Sequence, residues 1–391
     1  DQAYISGGAA KVAIKSAIAL KKRGYRVIFF AALDPIDHQL IDNDIEVICI
    51  GGEHIANTKN LSTMFRGIWN NHAKKELEKL LNALDPKSTV VHIHGWTKAL
   101  SSSIFSACEK SGFKTFITLH EYFTICPNGG VFNYKKGEIC SLRPGSIKCA
   151  FCNCDKRNYI QKFYRNIRQF VQTKQLNKLQ PNVIYITDFS KKILERNLKY
   201  KHTDFFIENN VEILDREKVN SSKNKDYLFI GRVSKEKGPD LFCEAVTRTG
   251  VSGVVVGSGA MENELKEKYP NIIFTGWLSS NEMKEYIDKS RCLVISSKWY
   301  ETMGLTIIEM QAKGIPCIVP DNCAGIEYIS DKITGVKYKI GDINSLVEAI
   351  NYTKDNNVIS ELSDNFYNQD FSERFSIETH TDNLIKAYNH Q

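Results

Sequence analysis

The feature that most constrains the fold of this chain is an alternation of short apolar runs with longer helical patterns along its whole length. The first half has strand candidates at 25–31, 45–50, 89–94, 114–119 and 182–187, and the second half has them at 227–230, 253–257, 272–275, 292–296 and 316–319. Because these runs are apolar on both faces, they predict parallel strands that are covered by helices on each side.

Helical patterns occupy the intervals between the strand candidates. They lie at 9–23, 61–84, 156–179, 240–248, 261–268, 304–313 and 343–352, with a last helix at about 375–389. A chain of 391 residues is long enough for two domains of ordinary size. We therefore expect an α/β protein with two Rossmann-like, doubly wound parallel sheets.

The expected domain boundary lies near 204–212, ahead of a polar, charge-mixed stretch at 219–225 that is typical of a linker. We predict an N-terminal domain over 1–204, joined by a final helix at about 371–391, and a C-terminal domain over 205–370. Residues 1–8 have the pattern of a loop that leads into a helix. We expect a strand to precede that loop, as in other doubly wound domains.

The charge of the chain is unevenly distributed between its halves. Residues 1–205 carry 31 lysines and arginines against 17 aspartates and glutamates, and the remainder carries 21 against 28, so the two parts have net charges of +14 and −7. Such asymmetry indicates that the first half contacts an anionic partner, although basic residues that only keep the chain soluble would give the same count. No apolar run of about 18 residues and no signal-peptide pattern is present, so we expect a cytoplasmic protein that can attach peripherally to the inner face of the cell membrane.

A strand followed by a loop and a helix at 292–313 carries the strongest functional signal. The loop presents Glu301, and the helix begins near Gly304 with backbone N–H groups that have no partner inside the helix. Such a helix start can bind a diphosphate. Glu301 would then accept hydrogen bonds from sugar hydroxyls, and Glu309 from a ribose diol, although two glutamates at this spacing are more often ordinary surface residues.

A second strand end leads into the segment Gly231-Arg232-Val-Ser-Lys-Glu-Lys237-Gly238. Gly231 permits a close approach of the backbone, and Arg232 and Lys237 could neutralise the charge on a departing diphosphate. Charged turns after strands are common, so the signal gains weight only from its pairing with the acidic residues in the same predicted sheet.

Together these motifs resemble the retaining GT-B glycosyltransferases of group 1, also called family four. Gly7-Gly8 before the first helix and the segment Thr118-Leu-His120-Glu121 after a strand match the N-terminal loop and the active-site histidine of that family. The resemblance covers nearly the whole chain. It implies two Rossmann-like domains that face each other across a cleft, and a peripheral enzyme of cell-surface polysaccharide biosynthesis.

The resemblance also implies that the domain over 1–204 is acceptor-binding and that the domain over 205–370 is donor-binding, and it implies the roles of individual residues. Arg232 and Lys237 would hold the donor diphosphate, Glu301 the transferred sugar and Glu309 the ribose, with His120 beside the sugar. The remaining cofactor-binding positions are Gly7, Gly8, Gly231, Gly257, Trp277, Met303, Gly304, Leu305 and Thr306. Outside that family, the ring nitrogens of a histidine at a strand end more often form hydrogen bonds with the backbone. His92 and His94 are predicted to be packing residues.

The implied reaction moves a hexose-type sugar, with retention, from a UDP- or GDP-sugar to a hydroxyl of a glycan or lipid-linked acceptor. No carboxylate nucleophile is obvious in the first half, which favours front-face departure of the leaving phosphate. Two cations and a helix start would stabilise that leaving group, so we expect no catalytic metal.

Five cysteines between residues 126 and 154 form the least regular motif. The pair Cys149-x2-Cys152 has the spacing of a zinc knuckle, and the predicted structural zinc ligands are Cys126, Cys140, Cys149 and Cys154. A cluster of reduced, partly buried thiols is the alternative, since a chain without export signals seldom forms disulfides.

The segment 156–179 interleaves seven basic residues with aromatic ones. Such a helix can lie on an anionic bilayer, or its apolar face can pack on the domain core. The double Rossmann scaffold would also suit a nucleotide-sugar epimerase, and the basic first half would also suit a nucleic-acid-binding protein. A nucleotide-sugar epimerase would need further acid–base carboxylates in the first half, and a nucleic-acid-binding protein would need a recognised binding motif, so we expect neither.

Overall fold

Two parallel sheets, one in each half of the chain, form the framework of the molecule. The structure is a computed structural model, and it describes residues 1–55, 61–213 and 216–390. Residue 391, the last residue of the predicted final segment, lies outside these ranges.

The strands of the first half are β1 (Ile28–Ala31), β2 (Glu46–Cys49), β3 (Val90–Ile93), β4 (Lys114–Thr118), β5 (Phe132–Asn133), β6 (Glu138–Ile139), β7 (Asn182–Tyr185) and β8 (Asp204–Phe206). The helices of this half are α1 (Gly8–Lys22), α2 (His38–Asp42), α3 (Leu61–Ile68), α4 (Asn71–Asn82), α5 (Ser103–Ser111), α6 (Ile147–Phe151), α7 (Tyr159–Leu179) and α8 (Asp188–Glu195). β3, β4, β7 and β8 form a parallel sheet in the order β3-β4-β7-β8, β1 pairs with β2 in parallel, and β5 pairs with β6 in an antiparallel hairpin.

The strands of the second half are β9 (Asp226–Ile230), β10 (Ser252–Val256), β11 (Ile273–Gly276), β12 (Ser290–Val294), β13 (Cys317–Pro320) and β14 (Gly335–Tyr338). Its helices are α9 (Pro239–Thr249), α10 (Glu262–Lys268), α11 (Ser280–Asp288), α12 (Leu305–Gln311), α13 (Ile343–Tyr352), α14 (Asn356–Tyr367) and α15 (Ile377–Asn389). The six strands form one parallel sheet in the order β11-β10-β9-β12-β13-β14.

Strand β9 shows why the apolar runs fold as buried parallel strands. Leu228 belongs to the hydrophobic cluster on one face of the sheet, whereas its neighbours Tyr227 and Phe229 belong to the cluster on the other face. Because successive side chains of a strand point to opposite faces, a run that is apolar at every position can be covered by helices on both sides. The predicted α/β class with doubly wound sheets is therefore confirmed.

The last helix contacts the first half of the chain. On α15, the Nε2 of His380 lies 2.9 Å from the Oγ of Ser16 on α1. Farther along the same helix, the hydroxyl of Tyr388 lies 2.6 Å from the Nδ1 of His92 on β3. The helix therefore links the end of the chain to the first sheet. The boundary between the two domains, expected near residue 204, remains a prediction.

All ten predicted strands are present, with ends that differ by up to three residues, but some helices and short strands were predicted wrongly. The single helix expected over 61–84 is divided, because α3 ends at Ile68 and the side chain of Asn70 accepts a hydrogen bond from the N–H of Ala73 at the start of α4. An N-cap of this kind starts a new helix. Strand β14 and the hairpin of β5 and β6 were not predicted.

Candidate active site

A cavity of about 1490 Å³ lies between the two halves and is lined by residues from both. It contains many of the residues singled out in the sequence: Gly7, Gly8, His120, Gly231, Arg232, Lys237, Glu301, Met303, Gly304, Leu305 and Thr306. The loops after β9 and β12, two adjacent strands, both open onto it. The carboxyl ends of parallel strands form the usual ligand-binding edge of such a sheet.

An ion pair joins the two loops of the second half. The Nζ of Lys237 lies 2.5 Å from the Oε1 of Glu301, and the hydroxyl of Ser297 donates to the same oxygen at 2.6 Å. Burial alone would raise the pKa of Glu301, but the charge of Lys237 and these hydrogen bonds lower it below the usual value. Glu301 is therefore an acceptor of hydrogen bonds at neutral pH.

The position of Lys237 depends on the glycine that follows it. Gly238 has a φ of +65°, and a Cβ at this position would lie 2.1 Å from the backbone oxygen of Ser296. The hydroxyl of Ser296 donates to the backbone oxygen of Lys237 at 3.3 Å. Only glycine allows both the left-handed turn and this close approach, which hold the two loops together.

Arg232 lies at the mouth of the same site. Its Nη2 atom is 3.5 Å from the Oε1 of Glu236, whose side chain is buried, whereas most of the arginine side chain is exposed. The preceding Gly231 packs against Gly257, because a Cβ on Gly257 would lie 2.0 Å from the oxygen of Gly231. The guanidinium therefore projects from a tightly packed strand end.

The beginnings of two helices meet across the cavity. Gly304 precedes α12 with a φ of +87°, and Leu305 is the first residue of that helix. A Cβ on Gly8, the first residue of α1, would lie 3.3 Å from the Cδ1 of Leu305. A glycine at position 8 thus lets the two halves approach closely where both helices expose unpaired backbone N–H groups.

Three histidines form a stacked row at the end of the first sheet. The Nδ1 of His94 lies 3.1 Å from the Nε2 of His120, and the ring centroids of His92 and His94 are 4.1 Å apart. Burial lowers the pKa of His92 and of His120 to about 3, and it lowers that of His94 well below its ordinary value. All three rings are therefore neutral at pH 7, and the Nδ1 of His120 has no hydrogen-bond partner within the part of the chain that the structure describes.

His92 and His94, which were predicted to be packing residues, both line the cavity together with His120, and both ring nitrogens of His92 have hydrogen-bond partners, Tyr388 and Thr118. They lie on β3 and directly after it, and β3 is the neighbour of β4, which ends just before His120. The signal that could have found them is the position of histidines at the carboxyl ends of two consecutive parallel strands.

Three predicted nucleotide-binding residues do not line the cavity. Gly257 and Trp277 lie just beyond strands β10 and β11 at the same sheet edge, and Trp277 is 77% exposed. Glu309 lies one turn into α12 and is half-buried. Burial raises the pKa of Glu309, although the charge of Lys11 on α1 partly offsets this effect.

The structure does not support the predicted zinc site at Cys126, Cys140, Cys149 and Cys154. Among residues 1–55, 61–213 and 216–390, no group of three or more His, Cys, Asp or Glu is arranged to hold a metal ion, and the cysteines are free. The Nζ of the fully buried Lys162 lies 3.8 Å from the Sγ of Cys149. Burial alone would lower the pKa of Lys162, but the neighbouring sulfur atoms raise it, so an ammonium group stands beside the thiols and opposes a divalent cation.

The first half contributes a cationic wall that the sequence pattern did not place in the site. Five basic residues of this half line the cavity: Lys98, Arg157, Arg165, Arg168 and Arg26, the last of which pairs with Glu46. Arg165 pairs with Asp155 at 3.2 Å. Glu121 also lines the cavity; burial raises its pKa, and the charges of Lys98 and Arg232 oppose that shift.

Sequence comparison gives relatives for part of the chain. Residues 211–388 match the family model described as glycosyl transferases group 1. The UDP-Gal:alpha-D-GlcNAc-diphosphoundecaprenol alpha-1,3-galactosyltransferase of Escherichia coli is 27% identical to this chain over 189 residues. These residues are 44% of this chain and 48% of that protein. The O-antigen chain mannosyltransferase C of Escherichia coli is 28% identical to this chain over 169 residues, and these residues are 41% of this chain and 44% of that protein. The chain thus spans less than half the length of either relative.

Structural comparison covers nearly the whole chain. The crystal structure of Anabaena Alr3699/HepE in complex with UDP and glucose matches with a TM-score of 0.70, over 99% of this chain and 97% of that one, at 14% sequence identity. A likeness at this identity shows the fold. It confirms the expected arrangement of two Rossmann-like domains across a cleft.

Proposed function

We propose that this chain, whose residues 211–388 match the family model described as glycosyl transferases group 1, is a glycosyltransferase of cell-surface polysaccharide biosynthesis. It moves a hexose-type sugar, with retention, from a UDP- or GDP-sugar to a hydroxyl of a lipid-linked or polysaccharide acceptor. The observation that carries the proposal is the pair formed by Lys237 and Glu301, which lies in the cavity between the halves beside the beginning of α12.

The donor occupies the side of the cavity that belongs to the second half. Arg232, Lys237 and the backbone N–H groups of residues 303–306 bind the diphosphate, and the carboxylate of Glu301 accepts hydrogen bonds from the sugar. Charge-assisted bonds of this kind are short and roughly twice as strong as neutral ones. The donor named for the Escherichia coli galactosyltransferase and the UDP in the Anabaena structure support a nucleotide-sugar donor.

Negative charge develops on the oxygen of the diphosphate as its bond to the sugar breaks. Stabilising this charge is the main requirement of the reaction. Lys237 and Arg232 neutralise that charge, and a preorganised donor of this type is worth on the order of 10²-fold or more in rate. Because two cations of the chain stabilise the leaving group, we propose that turnover does not require a divalent metal. The neutral ring of His120 lies on the opposite wall and hydrogen-bonds the sugar.

Retention requires either a front-face reaction or a nucleophilic carboxylate. We propose the front-face route, in which the leaving phosphate accepts the proton of the acceptor hydroxyl. Glu121 is the carboxylate of the first half that could act as nucleophile instead, because it follows His120 and lines the cavity. Glu121→Gln should therefore retain most of the transfer activity, whereas a loss of about 10³-fold or more would favour a covalent intermediate.

The acceptor occupies the side of the cavity that belongs to the first half. Lys98, Arg157, Arg165 and Arg168 line that wall, and cations there suit an acceptor that carries phosphate. The diphosphoundecaprenol acceptor named for the Escherichia coli galactosyltransferase supports the same class of acceptor.

The proposal is tested by incubating the protein with UDP- and GDP-hexoses and polyprenyl-diphosphate-linked sugars, with and without EDTA. We expect release of one nucleoside diphosphate together with a glycosylated acceptor, unchanged by EDTA, and NMR of the product should show the anomeric configuration of the donor. If every donor and acceptor pair leaves the nucleotide sugar intact, or if the product is an epimerised nucleotide sugar, the proposal fails.

A further inference from the structure

Helix α7 exposes an apolar stripe. Ile160, Phe163, Ile167 and Phe170 recur at helical spacing on one face, and the exposed fractions of Ile160, Phe163 and Phe170 are 74%, 60% and 73%. Large apolar side chains gathered on one exposed face mark a site of interaction, whereas scattered ones are ordinary.

The stripe is not needed to attach α7 to the protein. The opposite face of the helix is buried through Lys162, Tyr164, Gln172 and Leu176, and the Oε1 of Gln172 accepts a hydrogen bond of 2.7 Å from the indole of Trp96. The helix therefore buries a lysine and a glutamine while it exposes two phenylalanines, which is the reverse of the pattern expected of a helix that faces only water.

Neighbouring helices extend the apolar surface. Phe65 on α3 and Ile147 and Phe151 on α6 are all exposed, and both of these helices contact α7. The hydroxyl of Tyr164 donates to the backbone oxygen of Met64 at 2.8 Å, which ties α3 to α7. We call the set of exposed side chains the α7 surface: Phe65, Ile147, Phe151, Ile160, Phe163, Ile167 and Phe170.

The charges around the α7 surface have one sign. Exposed basic residues accompany it on or next to the three helices: Arg66, Arg143, Lys148, Lys156, Lys174 and Lys178. None of α3, α6 and α7 contains an aspartate or a glutamate. An apolar patch on helices whose charged residues are all cations is complementary to a surface that is apolar inside and anionic outside.

We propose that the α7 surface docks the protein on an anionic lipid bilayer. The phenylalanine and isoleucine side chains enter the boundary between headgroups and acyl chains, and the lysines at both ends of the stripe contact anionic headgroups. The attachment is peripheral, since no helix within the described residues is long and apolar enough to cross a membrane.

Docking through this surface would also orient the cleft. Another side of α7 supplies Gln161, Arg165 and Arg168 to the cavity, so one helix connects the bilayer surface with the cationic wall. A lipid-linked acceptor could then reach the site without leaving the membrane. This consequence depends on the proposed glycosyltransferase function, whereas the docking itself does not.

The test measures co-sedimentation of the full chain with vesicles of phosphatidylcholine alone and of phosphatidylcholine mixed with phosphatidylglycerol. We expect binding to the anionic vesicles that weakens as salt is raised. Replacing Phe163 and Phe170 together by Gln should lower the partition coefficient by more than about tenfold, since each substitution removes an aromatic side chain that the bilayer would bury. Lys174→Gln with Lys178→Gln should lower it by about fivefold for each lysine removed.

Matched controls come from the second half. Ile333→Ser removes another exposed apolar side chain, and Lys223→Gln with Lys225→Gln removes two other exposed lysines. These variants should bind vesicles as the unaltered protein does, and thermal melting should show that all of them fold. The inference is overturned if the unaltered protein stays in the supernatant or if the Phe163 and Phe170 variant binds normally. It is equally overturned if light scattering reveals a dimer that dissociates in that variant, because a second copy would then cover the surface.

Discussion

The ammonium group of Lys237 and the carboxylate of Glu301 form a 2.5 Å ion pair between the loops that follow β9 and β12. The two residues are 64 positions apart in the sequence, and adjacent strands bring them together. The pair lies in the cavity beside the start of α12, where we propose that the lysine contacts the diphosphate and the glutamate contacts the sugar of one donor.

Replacing either partner should abolish transfer without unfolding the protein. We expect Lys237→Ala and Glu301→Ala each to lower kcat by about 10²-fold or more, because each removes a charged contact to the reacting groups. The measurement is nucleoside diphosphate release, with circular dichroism to verify folding. Lys298→Ala is the control, since that lysine pairs with Asp240 at 2.5 Å and does not line the cavity. Near-normal turnover in both test variants would show that the site has been misplaced.

Nucleotide binding should raise the melting temperature in a base-specific way. A ligand that binds only the folded state stabilises it by about 2.7 kcal/mol when present at 100 times its Kd. We expect either UDP or GDP, but not ADP, to raise the Tm, and Lys237→Ala to reduce that rise. Equal responses to the three nucleotides, or no response to any, would contradict a specific donor site.

The buried histidines should make stability fall as the pH is lowered. Because burial lowers the pKa of His92 to about 3, the unfolded chain binds a proton below about pH 6.5 that the folded protein does not bind. The contribution is therefore complete above pH 6.5 and is lost towards pH 3, at up to about 1.4 kcal/mol per pH unit. Urea unfolding at several pH values should show a shallower loss for His92→Gln than for the unaltered protein.

Two glycines with similar backbone angles should respond differently to alanine. Gly238 has a φ of +65° and Gly250 a φ of +67°, but only Gly238 would place its Cβ against another backbone atom, the oxygen of Ser296. We expect Gly250→Ala to cost about 1 kcal/mol of unfolding free energy from the left-handed conformation. Gly238→Ala should cost several kcal/mol more and impair transfer, since it displaces Lys237. Equal losses in urea titrations would show that the loop contact is not required.

The cysteine-rich segment should not bind zinc at stoichiometric levels. An ammonium group beside the thiols disfavours a divalent cation, so we expect the purified protein to contain less than about 0.2 equivalents of zinc. Elemental analysis measures this directly, and EDTA should leave the Tm unchanged. One equivalent of zinc that is lost together with the fold on chelation would restore the metal site predicted from the cysteine spacing.

The local pattern of the sequence was sufficient for most secondary structure. Helix α13 was predicted with its observed limits, because apolar residues at helical spacing follow Asp342, whose side chain accepts hydrogen bonds from two N–H groups of the first turn. The division between α3 and α4 was missed, since the cap at Asn70 lies inside a continuous helical pattern. Short strands such as β5 and β6, with two residues each, carry too few residues for a periodic signal.

The sequence by itself determined the α/β class, the ten principal strands and the loops after β9 and β12, because these depend on the order of apolar and polar residues along a few neighbouring positions. Only the tertiary structure decided that His92 and His94 join His120 in the cavity, that Lys162 is buried beside cysteine thiols, and that α7 turns its phenylalanines outward. Those outcomes depend on which residues distant in the chain pack together, and the spacing of side chains along one helix or strand does not specify its partner.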